Sequence, residues 1–378
     1  MNRIEGLDPA TGDLLTVTYA DGVVTGIDRS TAAPGDLPYL APGLVDLQVN
    51  GYGGADVNAD EPSADAVREI THALAAVGVT SWVPTVVTAS EERIGAALRA
   101  VAQARDADAA VAAAVPFAHV EGPFLSDRDG PRGVHDAGQI RPVDAAEVER
   151  WLAHGPVGYV TLSPHTADAA GEIAAIRRLG VEVSVGHTHA DPGQIRAAVD
   201  AGASLSTHLG NGIFAELPRH PNPIWTQLAD DRLTCGLIAD GHHLPPETLR
   251  TMIRAKGPGR AFLVSDATAL AGSAPGCYTT AVGGEVELSA TGRLSYRGTP
   301  FLAGAAVSLA FGLAYAVRHA GVSVAEGIAL ASTTPGALVA RMGGAPRGVL
   351  RLGAPADLVQ LSAAGDVLAV VAQGHRLQ

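Results

Sequence analysis

The run AVPFAHVE, residues 114–121, is apolar except for His119 and its last residue, Glu121. A carboxylate at the end of a buried strand is costly unless an arginine, a bound metal or a substrate meets it. The loop that follows, GPFLSDRDGPRGVHDAG at residues 122–138, is rich in Gly, Pro, Asp and His. Loops of this kind carry binding and catalytic groups more often than cores do. The run therefore predicts a strand that ends at a functional site.

Seven further strand-like runs are spread along the chain: LVDLQV (44–49), GVTSWVPTVV (78–87), GYVTLSP (158–164), VEVSVGH (181–187), ASLSTH (203–208), TCGLIAD (234–240) and RAFLVSD (260–266). Ala-rich helical stretches, such as ADAVREITHALAAVG (64–78), separate them. This alternation predicts parallel strands with crossover helices. Eight such units that close on themselves predict a (β/α)8 TIM-type barrel, an α/β fold whose active site lies at the C-terminal strand ends. An open doubly wound sheet is the alternative, but no glycine-rich dinucleotide fingerprint follows an early strand.

Both ends of the chain have β patterns of their own. LLTVTYADGVVTGID (14–28) alternates and turns at Asp21-Gly22, and PADLVQLSAAGDVLAVVAQGHRLQ (355–378) alternates with a turn at Gly365-Asp366. We predict a small β-sandwich domain built from residues 1–40 and 345–378. The barrel then spans residues 41–344, with a β-hairpin insertion near 277–299.

Composition excludes several classes of protein. The formal net charge of −13 argues against a nucleic-acid partner or an anionic membrane surface. No run of 18 apolar residues occurs, and the start, MNRIEGLDPATGD, lacks the apolar core of a signal peptide. Two cysteines are too few for a disulfide scaffold. We therefore expect a cytoplasmic protein that acts on a small molecule.

Polar residues end several of the predicted strands. Glu121 ends the third strand, His187 the fifth, His208 the sixth and Asp266 the eighth. One Glu and two His form a good ligand set for Zn²⁺ and leave a coordination position for water. Asp266 is then placed to act as a general base towards that water. Each residue alone has an ordinary structural explanation, but their recurrence at the same relative position predicts a metal site.

Seven motifs then resemble, in order, those of the N-acetylglucosamine-6-phosphate deacetylases of the amidohydrolase superfamily. They are LAPGLVDLQVNGYGG, HVEGPF, RGVHD, SVGHTHA, STHLGNG, LIADGHHL and LVSDAT. The resemblance implies the barrel with its small β-sandwich, metal ligation by Glu121, His187 and His208, and Asp266 as the catalytic acid/base. It also implies a set of substrate-binding residues: His135 on the acyl carbonyl, Asn211 and Gly212 on the sugar phosphate, Arg219 and His243 on the phosphate, and Gly304. Arg219 and His243 would reach the neighbouring active site of a homodimer.

The first strand departs from much of the superfamily, because it ends in Gln48 and Asn50 where His-x-His is common. Amide side chains are poor Zn²⁺ ligands, so we expect one divalent ion per subunit and no second metal. Zn²⁺ is the first choice, and Fe²⁺ and Mn²⁺ accept the same ligand set. Gln48 and Asn50 are expected to form hydrogen bonds to neighbouring loops.

The resemblance implies hydrolysis of N-acetylglucosamine 6-phosphate to glucosamine 6-phosphate and acetate. The alternative is the same chemistry on another N-acyl amino sugar or amine, phosphorylated or not, because the substrate-facing segments THLGNGIF and ELPRHPNPIW depart from the family pattern. A catalytically inactive sugar-binding protein would lack a ligand or Asp266, and all four residues are present. A cyclic amidase or deaminase would more often keep His-x-His on the first strand.

Overall fold

The computed structural model describes residues 1–31, 36–280, 284–299 and 301–377. Its strands are, in chain order, β1 (Asn2–Leu7), β2 (Leu14–Ala20), β3 (Val23–Ser30), β4 (Tyr39–Pro42), β5 (Leu44–Val49), β6 (Gly51–Tyr52), β7 (Ala55–Asp56), β8 (Val79–Val87), β9 (Ala118–Glu121), β10 (Val157–Leu162), β11 (Glu182–Val185), β12 (Leu205–Ser206), β13 (Thr234–Ile238), β14 (Ala261–Val264), β15 (Gly276–Thr280), β16 (Gly284–Leu288), β17 (Arg293–Tyr296), β18 (Leu302–Ala305), β19 (Leu358–Leu361), β20 (Val367–Ala372) and β21 (His375–Arg376). Its α-helices are α1 (Ala64–Ala76), α2 (Glu91–Ala107), α3 (Ala109–Ala114), α4 (Ala145–Leu152), α5 (Ala169–Arg178), α6 (Pro192–Asp200), α7 (Pro223–Ala229), α8 (Pro246–Lys256), α9 (Leu309–His319), α10 (Val324–Ile328) and α11 (Thr334–Arg341). Ala137–Gln139 forms a 3-10 turn, and Ala329–Thr333 forms a π-helical segment between α10 and α11.

Eight strands form one parallel sheet in the order β5, β8, β9, β10, β11, β12, β13, β14. A parallel bridge between Val49 and Ala267 links the chain after the eighth strand back to the first strand. The sheet therefore closes into the predicted (β/α)8 barrel, and every predicted barrel strand is confirmed in its place. The strands are buried along their length, so their sequences read as continuous apolar runs.

The helices cover the barrel because each turns an apolar stripe towards it. In α1 the buried residues Val67, Ile70 and Leu74 recur at helical spacing, and Ser63 caps the helix by accepting from the N–H of Ala66. Trp82 of β8 is fully buried, and its indole N–H donates to Thr71 of α1 at 3.0 Å. Among the described helices, none combines the length and the apolar character that a membrane crossing requires.

The two chain ends meet in a seven-stranded sheet of order β3, β2, β1, β4, β19, β20, β21. A bridge between Val23 and Pro355 joins its outer parts, and side chains from six of the strands share one apolar core, as expected for the small β-sandwich. Strand β4, Tyr39–Pro42, belongs to this sheet and lies across the predicted boundary at residue 40. The domain boundaries stay a prediction.

The segment predicted to hold a hairpin insertion forms a four-stranded antiparallel sheet, β15–β18. Part of the predicted insertion, residues 281–283, lies outside the described residues. The sheet returns to the barrel through Ala305, which forms a parallel bridge with Ala267. Thr268 also donates its N–H to the Ala305 carbonyl at 2.9 Å. The insertion is therefore tied to the residues that follow Asp266.

Lys256, at the end of α8, is fully buried. Its Nζ donates to the carbonyl oxygens of Gln227 at 3.2 Å and Asp230 at 2.7 Å. Both carbonyls lie at the end of α7, where helix C=O groups lack partners within the helix. The ammonium group therefore caps α7 and ties it to α8, and α7 is the helix that follows the His208 loop.

We expect Lys256→Met to lower the free energy of unfolding by about 2–3 kcal/mol, because two buried carbonyls lose a charged donor. Urea denaturation followed by circular dichroism measures the change. Arg254→Met, on an exposed position of the same helix, is the matched control and should have little effect. Equal stability of the two variants would show that the cap contributes nothing.

Candidate metal centre and active site

The candidate site is built at the C-terminal ends of four barrel strands. Glu121 is the last residue of β9, whereas His187, His208 and Asp266 each lie two residues beyond the end of a strand, β11, β12 and β14. These three residues have positive φ values of 46°, 26° and 51°. Only five non-glycine residues of the described chain do so. Left-handed backbone at such residues costs about 1–3 kcal/mol each and concentrates at functional sites.

The side chains of Glu121, His187 and His208 converge. Glu121 Oε1 lies 3.1 Å from His208 Nε2 and 3.3 Å from His187 Nε2, and the two Nε2 atoms are 3.0 Å apart. Ligand atoms about 2.0–2.2 Å from a tetrahedral Zn²⁺ lie about 3.3–3.6 Å from each other. The observed spacing of 3.0–3.3 Å is slightly shorter, so small side-chain movements would let one oxygen and two nitrogens hold a small divalent cation.

The hydrogen bonding of His187 also fits a ligand. Its Nδ1 lies 2.8 Å from the carbonyl oxygen of Pro131, which can only accept, so Nδ1 carries the proton. When the ring is neutral, as a metal ligand must be, its lone pair is on Nε2, which faces Glu121 and His208. A metal-binding histidine is commonly oriented in this way by a carbonyl behind it.

The charges of Glu121, His187 and His208 affect one another. Burial raises the pKa of Glu121, but hydrogen bonds and charges from His187 and His208 outweigh it and hold that pKa well below its usual range. Burial lowers the pKa of His208, but the hydrogen bond and charge of Glu121 raise it further, so the net shift is upward. The Glu121 carboxylate thus attracts positive charge at the point where the donor atoms meet. A metal ion bound there would replace a proton.

His135, in the loop after β9, adds a third imidazole. Its Nε2 lies 3.3 Å from His187 Nε2, and ligand atoms of Glu121, His135 and His187 all lie within 4.8 Å of one another. The predicted carbonyl-binding residue therefore lies beside the candidate metal ligands, and it could itself contribute a donor atom. Burial lowers the pKa of His135 to about 3, which keeps the ring neutral.

Asp266 lies close enough to the cluster for the charges of Glu121 and His208 to act on it. Burial raises its pKa to about 6, the negative charge of Glu121 adds to the rise, and the charges of His208 and His243 act against it. Asn50 Nδ2 donates to Asp266 Oδ1 at 2.8 Å. A carboxylate whose pKa is close to neutrality can both accept and return a proton, as a general acid/base must.

The two amides of the first strand bind the two functional carboxylates. Gln48 Nε2 donates to Glu121 Oε1 at 3.1 Å, and Asn50 donates to Asp266 as described. Asn50 forms the expected bond to a neighbouring loop, since Asp266 lies beyond the end of β14, whereas Gln48 bonds to the last residue of strand β9. An amide NH₂ group turned towards a carboxylate supplies a positive dipole end and no lone pair. Gln48 and Asn50, which stand where His-x-His is common, thus orient the two carboxylates.

The loop after β12 carries Asn211 and Gly212 against the cluster. Asn211 Nδ2 donates to the His208 carbonyl at 3.2 Å. Gly212 has φ 58°, and a Cβ there would lie 2.8 Å from His187 Nδ1. Only glycine allows this close approach, so the loop packs directly on a metal-ligand candidate.

His243 is held by a residue that the sequence analysis did not single out. Asp240, the residue that ends the run TCGLIAD, accepts from His243 Nδ1 at 2.6 Å and from its backbone N–H at 2.8 Å. Burial raises the pKa of Asp240, but these bonds and the charge of His243 outweigh it and lower the pKa to about 2. The sequence offered a signal for Asp240, because it is the last residue of the seventh strand-like run, as Glu121 is of the third.

Two predicted substrate contacts lie away from the donor cluster. Arg219 is exposed in the loop before α7, and none of the hydrogen bonds or ion pairs of the described residues involves its guanidinium group. Gly304 has φ 115° beside Thr268, where a Cβ would lie 2.6 Å from the threonine methyl group. The structure thus brings together the predicted ligands and Asp266, but does not bring Arg219 to them within one subunit.

Curated relatives cover most of the chain. No protein-family model matches it. It is 33% identical to the N-acetylgalactosamine-6-phosphate deacetylase of Escherichia coli O157:H7 over 320 residues, which are 84% of this chain and 82% of that protein. It is also 33% identical to the N-acetylglucosamine-6-phosphate deacetylase of Homo sapiens over 315 residues, 79% of this chain and 74% of the human protein.

Solved structures give the same result for the fold. A variant of N-acetyl-D-glucosamine-6-phosphate deacetylase from Mycobacterium smegmatis, in complex with N-acetyl-D-glucosamine-6-phosphate, superposes with a TM-score of 0.84 at 30% identity and covers 97% of this chain and 94% of that chain. The enzyme from Thermotoga maritima also has a TM-score of 0.84, at 25% identity, and covers 100% and 99%. With its barrel, terminal β-domain and strand-end donor cluster, the chain belongs to the N-acetylhexosamine-6-phosphate deacetylase family of the amidohydrolase superfamily.

Proposed function

We propose that this protein is a metal-dependent deacetylase that hydrolyses the N-acetyl group of N-acetylglucosamine 6-phosphate, giving glucosamine 6-phosphate and acetate. The observation that carries the proposal is the convergence of Glu121, His187 and His208 within 3.0–3.3 Å of one another, with Asp266 bound by Asn50 beside them. The relatives with this fold are named for this reaction on glucosamine or galactosamine derivatives.

The cation, when bound, supplies positive charge that polarises the amide carbonyl and makes water more acidic. We propose that Glu121, His187 and His208 hold it, one ion per subunit, and that it is Zn²⁺, with Fe²⁺ and Mn²⁺ as alternatives. The nitrogen-rich donor set supports an ion of this group over Mg²⁺ or Ca²⁺, which prefer oxygen ligands. Gln48 turns its N–H donor towards Glu121 and offers no lone pair there, which supports a site for a single ion.

The remaining steps belong to side chains of the protein. Asn50 holds Asp266 in position. Asp266 takes a proton from the attacking water and later gives it to the leaving amine. His135, neutral at ordinary pH, donates Nε2–H to the acyl oxygen as negative charge develops on it. A preorganised donor of this kind is worth about 2.7–4 kcal/mol in other hydrolases. Asn211 and Gly212 are proposed to contact the sugar phosphate.

We further propose a homodimer in which Arg219 and His243 contact the phosphate in the neighbouring active site. The unpartnered, exposed guanidinium of Arg219 supports this role. So does the apolar surface next to it: Trp225 of α7 is 51% exposed, and it borders a groove between α7 and α8. A phosphorylated sugar is charged and made inside the cell, which supports a cytoplasmic location.

The sugar epimer separates two forms of this proposal. The relatives include both N-acetylglucosamine- and N-acetylgalactosamine-6-phosphate deacetylases at similar identity. A different N-acyl amine, phosphorylated or not, is the broader alternative. All of these share the amide and the acid/base chemistry, so the predictions below separate the chemistry from the substrate.

Glu121→Gln should abolish stable metal binding, because it removes the anionic ligand and leaves two buried imidazoles facing a neutral amide. Metal content is measured by inductively coupled plasma mass spectrometry after loading with Zn²⁺. Glu147→Gln changes an equally buried glutamate, which is paired with Arg141, and should keep the ion. A full ion in the Glu121 variant would remove this residue from the ligand set.

Asp266→Asn should lower kcat by about 10²–10⁴, because the water loses its general base and the amine its proton donor. The metal content should be unchanged, since Asp266 is not in the proposed ligand set. Release of free amine from N-acetylglucosamine 6-phosphate gives the rate, with the galactosamine epimer in parallel. A variant that turns over substrate at the wild-type rate would exclude Asp266 as the acid/base.

Arg219→Ala should raise KM for the phosphorylated substrate by about 10- to 100-fold, since a charged hydrogen bond is worth about 1.5–3 kcal/mol. Turnover of unphosphorylated N-acetylglucosamine should not change. Arg178→Ala, at an exposed arginine of α5, is the matched control. An identical KM for the two variants on the phosphate ester would place phosphate recognition elsewhere.

A further inference from the structure

A cavity of about 210 Å³ lies behind the loop that carries His135. Its walls come from the end of β8, the start of α2 and the loop that includes residues 134–136 and Gln139. Among the residues of the metal and acid/base cluster, His135 alone lines it. His135 is therefore the residue that this cavity shares with the candidate active site.

The two nitrogens of His135 have different surroundings. Nε2 lies 3.3 Å from His187 Nε2, on the side of the candidate metal ligands. Nδ1 is buried and has no hydrogen-bond partner among the described residues, although the residue is only 3% exposed. Buried polar atoms are rarely left unpaired, because such an atom costs about 1–3 kcal/mol. The cavity is the space from which a partner can approach.

The tautomer of His135 decides what it can do. A neutral imidazole carries one proton, so Nε2 can donate to an acyl oxygen only if Nδ1 is an acceptor. Nδ1 must then receive a hydrogen bond from a donor, since an acceptor behind the ring would favour the opposite tautomer. The question is which group lining the cavity supplies that donor.

Among the polar side chains that line the cavity, Ser90 and Gln139 are the two candidate donors. Asn58, Thr88 and Arg93 each donate to other acceptors. The Asp136 carboxylate accepts from the N–H of Gly138 and cannot supply a donor. Ser90 uses its oxygen to cap α2 by accepting from the N–H of Arg93. The amide side chain of Gln139 takes part in none of the hydrogen bonds of the described residues, and it is half-buried in the cavity wall. Gln139 therefore has an uncommitted N–H pair in the wall of the cavity that His135, with its unpartnered Nδ1, also lines.

We infer that Gln139 is a positioning residue for the deacetylation: its amide N–H is donated to His135 Nδ1, directly or through water in the cavity, and holds the ring as the Nε2–H tautomer. This inference rests on the proposed function, which gives His135 a donor role. It extends that function to a residue outside the pocket, separated from the substrate by the histidine itself.

Gln139→Glu tests the tautomer because it keeps the size of the side chain but replaces the N–H donor by an acceptor. The carboxylate would bind a proton on Nδ1 and leave Nε2 without one. The wrong tautomer of a catalytic histidine costs a serine protease about 10⁴ in kcat, and we expect a loss of about 10- to 1,000-fold here. KM and zinc content should stay the same, which separates a positioning role from a structural one.

Two further variants frame the result. Gln139→Leu removes the donor without adding an acceptor, so its loss in kcat should be smaller than that of Gln139→Glu. Ser90→Ala removes the hydroxyl group that is the other candidate donor, and it should leave kcat unchanged. Equal kcat for wild type and both Gln139 variants, or a loss only in Ser90→Ala, would overturn the assignment to Gln139.

Nitrogen NMR of the zinc-loaded, ¹⁵N-histidine-labelled enzyme reads the tautomer directly, with the His135 signals assigned from a His135→Gln sample. We expect Nε2–H in the wild type and Nδ1–H in Gln139→Glu. Nδ1–H already in the wild type would overturn the inference and point to His135 as a metal ligand through Nε2. A wild-type enzyme that is zinc-loaded but inactive on every N-acetylhexosamine 6-phosphate would instead contradict the proposed function, with the tautomer result still readable.

Discussion

The contact on which the site depends is that of one carboxylate with two imidazoles. Glu121 at the end of β9 meets Nε2 atoms of His187 and His208 that come from two other strands. A buried carboxylate is unfavourable alone, and two buried imidazole nitrogens 3.0 Å apart are unfavourable without positive charge between them. Each part therefore requires the others, and the barrel is the element that brings three strand ends to one point.

The cost of that arrangement is carried by the backbone just beyond the strands. His187, His208 and Asp266 all adopt left-handed φ values two residues after a strand ends. Such conformations persist only where the surrounding structure fixes them. Here the Pro131 carbonyl fixes His187, the Gly212 loop packs on the same ring, and Asn50 fixes Asp266. Strain at three equivalent positions thus marks the functional face of the barrel.

Much of this could be predicted from the sequence, for a physical reason. Strands of a parallel barrel are buried on both faces, so a polar residue at the end of each apolar run stands out, and Glu121, His187, His208 and Asp266 were found in that way. The pairing of Gln48 with Glu121 was not found, because it joins residues 73 positions apart and amides bond to almost any partner. The left-handed backbone of His187, His208 and Asp266 was not predicted, because His and Asp adopt it more often than most residues but still only in a minority of cases. The role of Lys256 could not be predicted, since nothing in the local sequence indicates that a lysine at the end of α8 caps another helix.

The amides of the first strand fit the proposed site for a single cation. Where much of the superfamily has His-x-His, this chain has amides that donate to Glu121 and Asp266. A donor on Glu121 Oε1 orients the carboxylate and stabilises its ionised form, which strengthens its role as an anionic ligand. The donor on Asp266 acts in the same direction, while burial and the charge of Glu121 raise the pKa of Asp266 to about 6. The balance leaves one carboxylate firmly ionised and the other close to neutrality. Two carboxylates in one pocket are thereby given different tasks by their hydrogen bonds and surroundings, as pairs of acidic residues are in other hydrolases.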